Sequence, residues 1–172
     1  MARRLRYGVA MSLDGFIAAA DGGYDWIVHD PTIDFGAIFS EFDTLVMGRK
    51  TFDLTRKQGG GGMTGKLRTV VVSRTLSQKD FPAVEIVNEH PAAAVTALKD
   101  EAGKDIWLFG GGELFRTLFD AGVVDGIDVA VIPVMLGGGI PFIAPGKQSK
   151  PLRLADTKTY PSGIISLTYE VP

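Results

Sequence analysis

Three short clusters in the chain carry groups that bind phosphate. Gly110-Gly111-Gly112-Glu113-Leu114 follows the apolar run Asp105–Phe109 and opens a helical pattern. Glycines at such a junction let backbone N–H groups approach a ligand closely, and a helix start adds orphan donors and a positive dipole end. Gly48-Arg49-Lys50-Thr51 supplies a close-approach glycine, two cations and a hydroxyl. Ser73-Arg74-Thr75 adds a third set of anion-binding side chains. Each cluster taken singly also reads as a tight turn or a solvated loop. All three fall where apolar runs end, which is where open α/β sheets bind ligands. Gathered in space, they would grip a ligand with a pyrophosphate and a separate phosphate.

Two well-known phosphate motifs are approached and missed. Gly110-x-Gly112 has Phe115 where the third glycine of a dinucleotide fingerprint belongs. Gly60-x-x-x-x-Gly65-Lys66 has Leu67 where a Ser or Thr must reach magnesium, and it leads from a helix into a strand rather than the reverse. Phosphoryl transfer is therefore rejected, and Gln58–Gly65 is expected to be a loop.

The clusters need elements to hold them. Apolar runs rich in β-branched residues predict strands at Leu5–Met11, Thr44–Met47, Arg68–Ser73, Val84–Val87, Asp105–Phe109 and Asp128–Val134. Ile33–Phe42 is amphipathic at helical spacing. His90-Pro91 opens a helix that runs to about Ala102 and stops at Gly103, and the helix after the Gly110 run closes at Gly122. A last pair, 152–160 and 164–171, is joined through Pro161-Ser162-Gly163 and must be antiparallel. Strands alternating with helices predict an α/β fold with a mostly parallel sheet and an antiparallel C-terminal edge. No linker or repeat divides the chain, so residues 1–172 are expected to form one domain.

Composition narrows the function classes. The 172 residues include 22 glycines, ten of them in the runs Gly59–Gly62, Gly110–Gly112 and Gly137–Gly139. There is no cysteine, which removes disulfides, thiolate metal sites and cysteine nucleophiles, and no metal site is expected. A net charge of −2 gives no footprint for nucleic acid. Arg3, Arg4 and Arg6 precede a short apolar stretch, but Asp14 interrupts it, so it does not read as a signal peptide. No run is long enough to cross a membrane. The expectation is a cytoplasmic protein with a small-molecule ligand.

Four segments in order carry a resemblance. Val9-Ala10-Met11-Ser12-Leu13-Asp14-Gly15-Phe16-Ile17-Ala18, Val46-Met47-Gly48-Arg49-Lys50-Thr51-Phe52, Val72-Ser73-Arg74 and Phe109-Gly110-Gly111-Gly112 resemble the dihydrofolate reductase superfamily over nearly the whole chain. The resemblance implies a three-layer fold, an eight-stranded sheet with helices on both faces, and NADPH as cofactor. It implies that Gly48, Arg49, Lys50, Thr51, Ser73 and Arg74 hold the pyrophosphate and 2′-phosphate. It further implies that Phe109, Gly110, Gly111, Gly112, Glu113 and Leu114 cradle the pyrophosphate, with Ala10, Ile17 and Ala18 around the nicotinamide. Two arginines also suit a divalent phosphate monoester, which favours NADPH over NADH.

Within the superfamily the pattern leaves the true dihydrofolate reductases. Asp34 is the best candidate for their pterin-binding acid but stands at an unusual spacing, Ala130 falls at their threonine position, and Leu67 falls near their folate-binding arginine, between Lys66 and Arg68. Met11-Ser12-Leu13-Asp14-Gly15 and Ile132-Pro133-Val134-Met135-Leu136-Gly137-Gly138-Gly139 are instead similar to the reductase domain of the riboflavin-pathway bifunctional deaminase–reductase and its stand-alone bacterial relatives. That likeness implies hydride transfer to a C=N or C=O carbon of a pyrimidine-type substrate, as in 5-amino-6-(5-phosphoribosylamino)uracil reductase, and a homodimer. Dihydrofolate reduction and a non-catalytic nucleotide-binding module are the competing readings. Asp14, Asp34 and Trp26 are the candidates around the substrate. Their plainer readings are a turn residue in Leu13-Asp14-Gly15, a helix cap and a core side chain. His29 and His90 are assigned no chemistry.

Overall fold

A computed structural model describes residues 3–57, 59, 66–146 and 149–172. The near-Walker segment Gly60–Gly65, and the loop expected over Gln58–Gly65 apart from Gly59, lie outside the described residues.

Among the described residues, ten strands and four helices follow one another as β1 (Leu5–Ser12), β2 (Phe16–Ala18), α1 (Phe35–Ser40), β3 (Phe42–Gly48), α2 (Arg49–Lys57), β4 (Arg68–Val72), β5 (Glu85–Val87), α3 (Pro91–Asp100), β6 (Asp105–Gly110), α4 (Gly112–Asp120), β7 (Gly126–Ile132), β8 (Ile140–Pro141), β9 (Arg153–Thr159) and β10 (Ile165–Glu170). Eight strands form one sheet in the order β5-β4-β3-β6-β1-β7-β10-β9. Its first six strands are parallel, and β10 is antiparallel to both neighbours. The mixed sheet with an antiparallel C-terminal edge is as the sequence predicts.

Each face of the sheet packs its own apolar layer. Val95 and Leu98 of α3 and Leu114, Phe115, Leu118 and Phe119 of α4 close over Leu5, Tyr7, Ile106, Leu108 and Ile127. On the other face Phe52 of α2 joins Phe42, Leu45, Met47, Val71 and Trp107, with Phe39 of α1 packed against them. The N-terminal ends of the strands are tied by charge. The Arg6 guanidinium bonds Asp128, Asp105 and Glu41. Arg3, 4% exposed, reaches the carbonyls of Leu98 and Lys104 and the side chains of Asp43 and Thr44.

Two features differ from the sequence expectation. The helix predicted over Ile33–Phe42 shrinks to Phe35–Ser40, because Asp34 caps its start and Phe42 is drawn into β3 to pack on Trp107. A small second sheet also appears, in which β2 pairs antiparallel with β8. Strands of three and two residues are too short to show a period.

Candidate active site

The chain crosses the sheet in opposite directions from β1 and β6. The path from β1 leads past β6 to β3, and the path from β6 leads past β1 to β7. Right-handed connections then put α1 and α4 on opposite faces, so a crevice is left between the C-terminal ends of β1 and β6. Pairing shows this opening directly. Leu5–Tyr7 pair with Ile106–Leu108, but β1 continues to Ser12 and β6 to Gly110 without further pairing between them. At the fork the Trp107 Nε1–H donates to the Gly8 carbonyl at 2.9 Å. Alternation along a strand turns the backbone groups of Ala10 to the same side as those of Gly8, into the crevice.

The predicted phosphate cradle borders this crevice. Gly110 has φ +143°, and Gly111 starts α4 with no side-chain cap, so the helix's first N–H groups have no capping side chain. Thr51 lies against the same turn, its Oγ1 only 3.4 Å from where a Cβ on Gly110 would be. Gly48 ends β3 beside them, its imagined Cβ 4.0 Å from the Gly110 carbonyl. Lys50 and Glu113 face each other at 3.8 Å, linking the first turns of α2 and α4. Leu114 is buried, and Phe109 sets its ring edge-on to Trp107 at 5.0 Å.

The three glycines have separate reasons. A Cβ on Gly112 would sit 2.6 Å from the Pro141 carbonyl oxygen, and the Gly112 carbonyl accepts from Ala144 N–H. Gly112 is therefore needed where the chain after β8 crosses α4. A Cβ on Gly111 would make only ordinary van der Waals contact, with Thr51 Oγ1 at 3.7 Å. Of the three, Gly110 and Gly112 are buried and only Gly111 offers surface to a ligand.

Arg49 stands on the first turn of α2, half exposed and 4.0 Å from Asp53. Arg74 is exposed just past β4. Ser73 is buried, and its Oγ accepts from the N–H groups of Thr75 and Leu76 while Asn88 holds its carbonyl. Its hydroxyl shapes the turn that presents Arg74. Ile17 and Ala18 lie on β2, whose pairing with β8 is possible because Gly139 passes the Ala18 carbonyl oxygen where a Cβ would overlap it.

The three substrate candidates fall into positional work. The Asp14 carboxylate accepts from Ser12 Oγ at 2.7 Å and from the N–H groups of Leu136 and Gly137 at 3.1 and 2.7 Å. Those hydrogen bonds, the Ser12 one foremost, hold it down at about 2. It fastens the β1–β2 turn to the loop between β7 and β8. Asp34 caps α1 through Ala37 N–H. Trp26 is half-buried and donates to Gly23 O within its own loop.

One buried acid escaped sequence reading. Asp30, 3% exposed, accepts from Thr32 N–H, Thr32 Oγ1 and Ser162 N–H, which keep it below the usual carboxylate range. It pins the loop before α1 to the turn between β9 and β10. Asp30-Pro31-Thr32 is a turn signal, but its distant partner has no local mark. Trp107 was likewise visible only as a strand residue. Its partner glycine, Gly8, carries no sequence signal.

A sheet of this order, open between β1 and β6 beside a glycine turn, defines a dihydrofolate reductase-like fold. Comparison bears this out: the dihydrofolate reductase of Enterococcus faecalis superposes with a TM-score of 0.71 at 18% identity, over 99% of each chain. A solved structure from Shewanella sp. PV-4 superposes at 0.84 with 24% identity, over 100% of this chain and 99% of that one. Residues 3–166 match the RibD C-terminal domain, and the chain belongs to that family. Among relatives, the uncharacterized protein YyaP of Bacillus subtilis is 35% identical over 97% of this chain and 94% of its own length. The family makes the protein an oxidoreductase of the riboflavin-pathway reductase type. Among the described residues no helix is long and apolar enough to cross a membrane.

Proposed function

We propose that the protein is an NADPH-dependent reductase acting on a pyrimidine-type substrate related to 5-amino-6-(5-phosphoribosylamino)uracil, working in the cytoplasm. The observation that carries this reading is the fork between β1 and β6 lying beside the uncapped start of α4. A flat ring fits a fork in a sheet, and a pyrophosphate fits a helix start reached past glycines.

The residues present suit the cofactor. Gly111 offers its surface at the helix start, the Thr51 hydroxyl faces the same turn, and Arg49 and Arg74 stand on neighbouring strand ends for a 2′-phosphate. Bound NADPH supplies a hydride. The chain's own part is orientation: Ala10 turns its backbone groups into the crevice, and the Trp107 indole closes the bottom of the fork. Asp14 holds the β7–β8 loop, and with it β8, against β2.

The test is NADPH and NADH binding by calorimetry, followed by NADPH oxidation with the ribosylamino-pyrimidine phosphate and with dihydrofolate. Tight NADPH binding and turnover of the pyrimidine are expected. Turnover of dihydrofolate alone moves the protein to the folate branch. Absence of NADPH binding overturns the reading.

A further inference from the structure

The segment from Ala19 to Ile33 leaves β2 and ends at the cap of α1, and two contacts fix its course. Near its start, a Cβ on Gly22 would lie 4.0 Å from Leu54 Cδ2, so the chain there runs against α2. Near its end, the Asp30 carboxylate accepts from Ser162 N–H at 3.1 Å, in the turn between β9 and β10. These two points lie on opposite sides of the fork. β3, which leads into α2, stands beyond β6, while β10 stands beyond β1 and β7. Ile165, the first residue of β10, pairs with Val131 late in β7, so the turn sits at the end of the sheet where the fork opens. The stretch from Gly22 to Asp30 therefore crosses the mouth. Its length, at most roughly 28 Å, must cover the four strand spacings from β3 to β10, about 19 Å. The crossing has little slack.

Its two ends are held unequally. At Gly22 the contact is with carbon alone, whereas Asp30 is buried and its oxygens take Thr32 N–H, Thr32 Oγ1 and Ser162 N–H. Among the described residues, every other hydrogen bond of residues 19–33 stays within the segment or reaches only the first residue of α1. The turn that receives Asp30 is firm, with Ile164 buried and Gly163 against Pro133. Between the two points the segment carries half-buried Trp26 and exposed Tyr24, Ile27 and Val28.

We propose that Asp30 is a positioning residue for the substrate. Its tie to the β9–β10 turn draws the segment taut across the fork and sets the roof under which the substrate ring meets the nicotinamide. This rests on the reductase reading above and adds to it a residue that acts through the chain rather than on either ligand. A carboxylate suits the task, because its two oxygens accept all three donors at once. The residues assigned to the cofactor's phosphates stand on α2, at the start of α4 and past β4, away from the tie. Loss of the tie therefore falls on the substrate and spares NADPH.

The experiment compares wild type with Asp30→Ala and Asp30→Asn. It combines NADPH calorimetry, hydrogen–deuterium exchange, and kinetics with the ribosylamino-pyrimidine phosphate or dihydrofolate, whichever wild type reduces. Asp30→Ala raises the substrate KM at least roughly tenfold, while NADPH affinity stays within about threefold. Amides of residues 19–33 exchange faster, and those of β1 and β7 keep wild-type rates. Asp30→Asn keeps one acceptor oxygen and falls between, and it carries the comparison if Asp30→Ala does not fold. Equal losses for substrate and NADPH overturn the proposal, as does a KM unchanged from wild type. Unchanged exchange of residues 19–33 overturns it whether or not either substrate is reduced. A wild type that binds no NADPH overturns the reductase reading, and the proposal with it.

Discussion

Trp107 and Gly8 interlock where the sheet divides. The indole N–H donates to the Gly8 carbonyl at 2.9 Å, and a Cβ on Gly8 would stand 2.6 Å from that nitrogen. The glycine thus exists to admit a side chain from the neighbouring strand. Phe39 and Phe42 stack on the same indole at 4.9 and 5.5 Å, so it has little room to retreat. Gly8→Ala is expected to destabilise the fold by about 1–3 kcal/mol, the usual range for overpacking a filled core. Chemical denaturation measures it, and an unchanged midpoint would show that the indole can move aside.

Adjacent glycines of the cradle should fail in different ways. Gly112→Ala drives a methyl group into the Pro141 carbonyl and is expected to lower the melting temperature markedly. Gly111→Ala meets only an ordinary van der Waals contact with Thr51, so it should melt near wild type while weakening NADPH binding about tenfold or more. Melting curves beside calorimetric titrations separate the two. Equal effects of both variants on stability would remove the distinction.

Arg49 carries the cofactor preference in the proposed reading. Among the described residues its one ion-pair partner is Asp53 at 4.0 Å, an exposed pair that contributes little to stability. Arg49→Ala should leave the melting temperature alone and weaken NADPH roughly tenfold while sparing NADH. Equal losses for the two nucleotides would place the 2′-phosphate elsewhere.

Asp14 makes a pH prediction with a definite sign. Its pKa is lowered from 3.8 to about 2 by groups that bond the ionised form. Its stabilising effect is therefore complete above its unfolded-state pKa and is lost as pH falls through about 2. Asp14→Asn should melt below wild type at neutral pH, and the gap should close across that acidic window. Its NADPH turnover should also fall, because the β7–β8 loop loses its anchor. A gap that is constant down to the lowest pH would mean the carboxylate charge is irrelevant to the tie.

Much of the architecture was legible because the signals were local. Val70 and Val71 in β4, or Ile106 and Leu108 in β6, announce strands by type alone, and Gly103 and Gly122 announce helix ends. The cradle was legible as a junction of strand and helix. What was not legible depends on partners far apart in the chain. Asp14 looked like a chemical group, yet its oxygens are committed to amides 122 and 123 residues away. Gly112 looked like part of a ligand turn, yet its neighbour is Pro141. Asp30 drew no attention, because the N–H it holds is 132 residues distant. A residue's type shows what it can bond, and only the assembled sheet shows which bond it makes.

The fork also divides β1 into two halves of unlike dynamics. Up to Tyr7 the strand is paired on both sides, and beyond Tyr7 it is paired with β7 alone, the Trp107 indole on the Gly8 carbonyl being the last tie to β6. Amides on the closed half should exchange with solvent deuterium only on global unfolding, while those facing β6 beyond Tyr7 exchange through small local openings. A single strand therefore acts as a graded spring, stiff at its base and compliant at its tip. A ligand entering the fork has only the compliant end to set, and the core beneath need not yield.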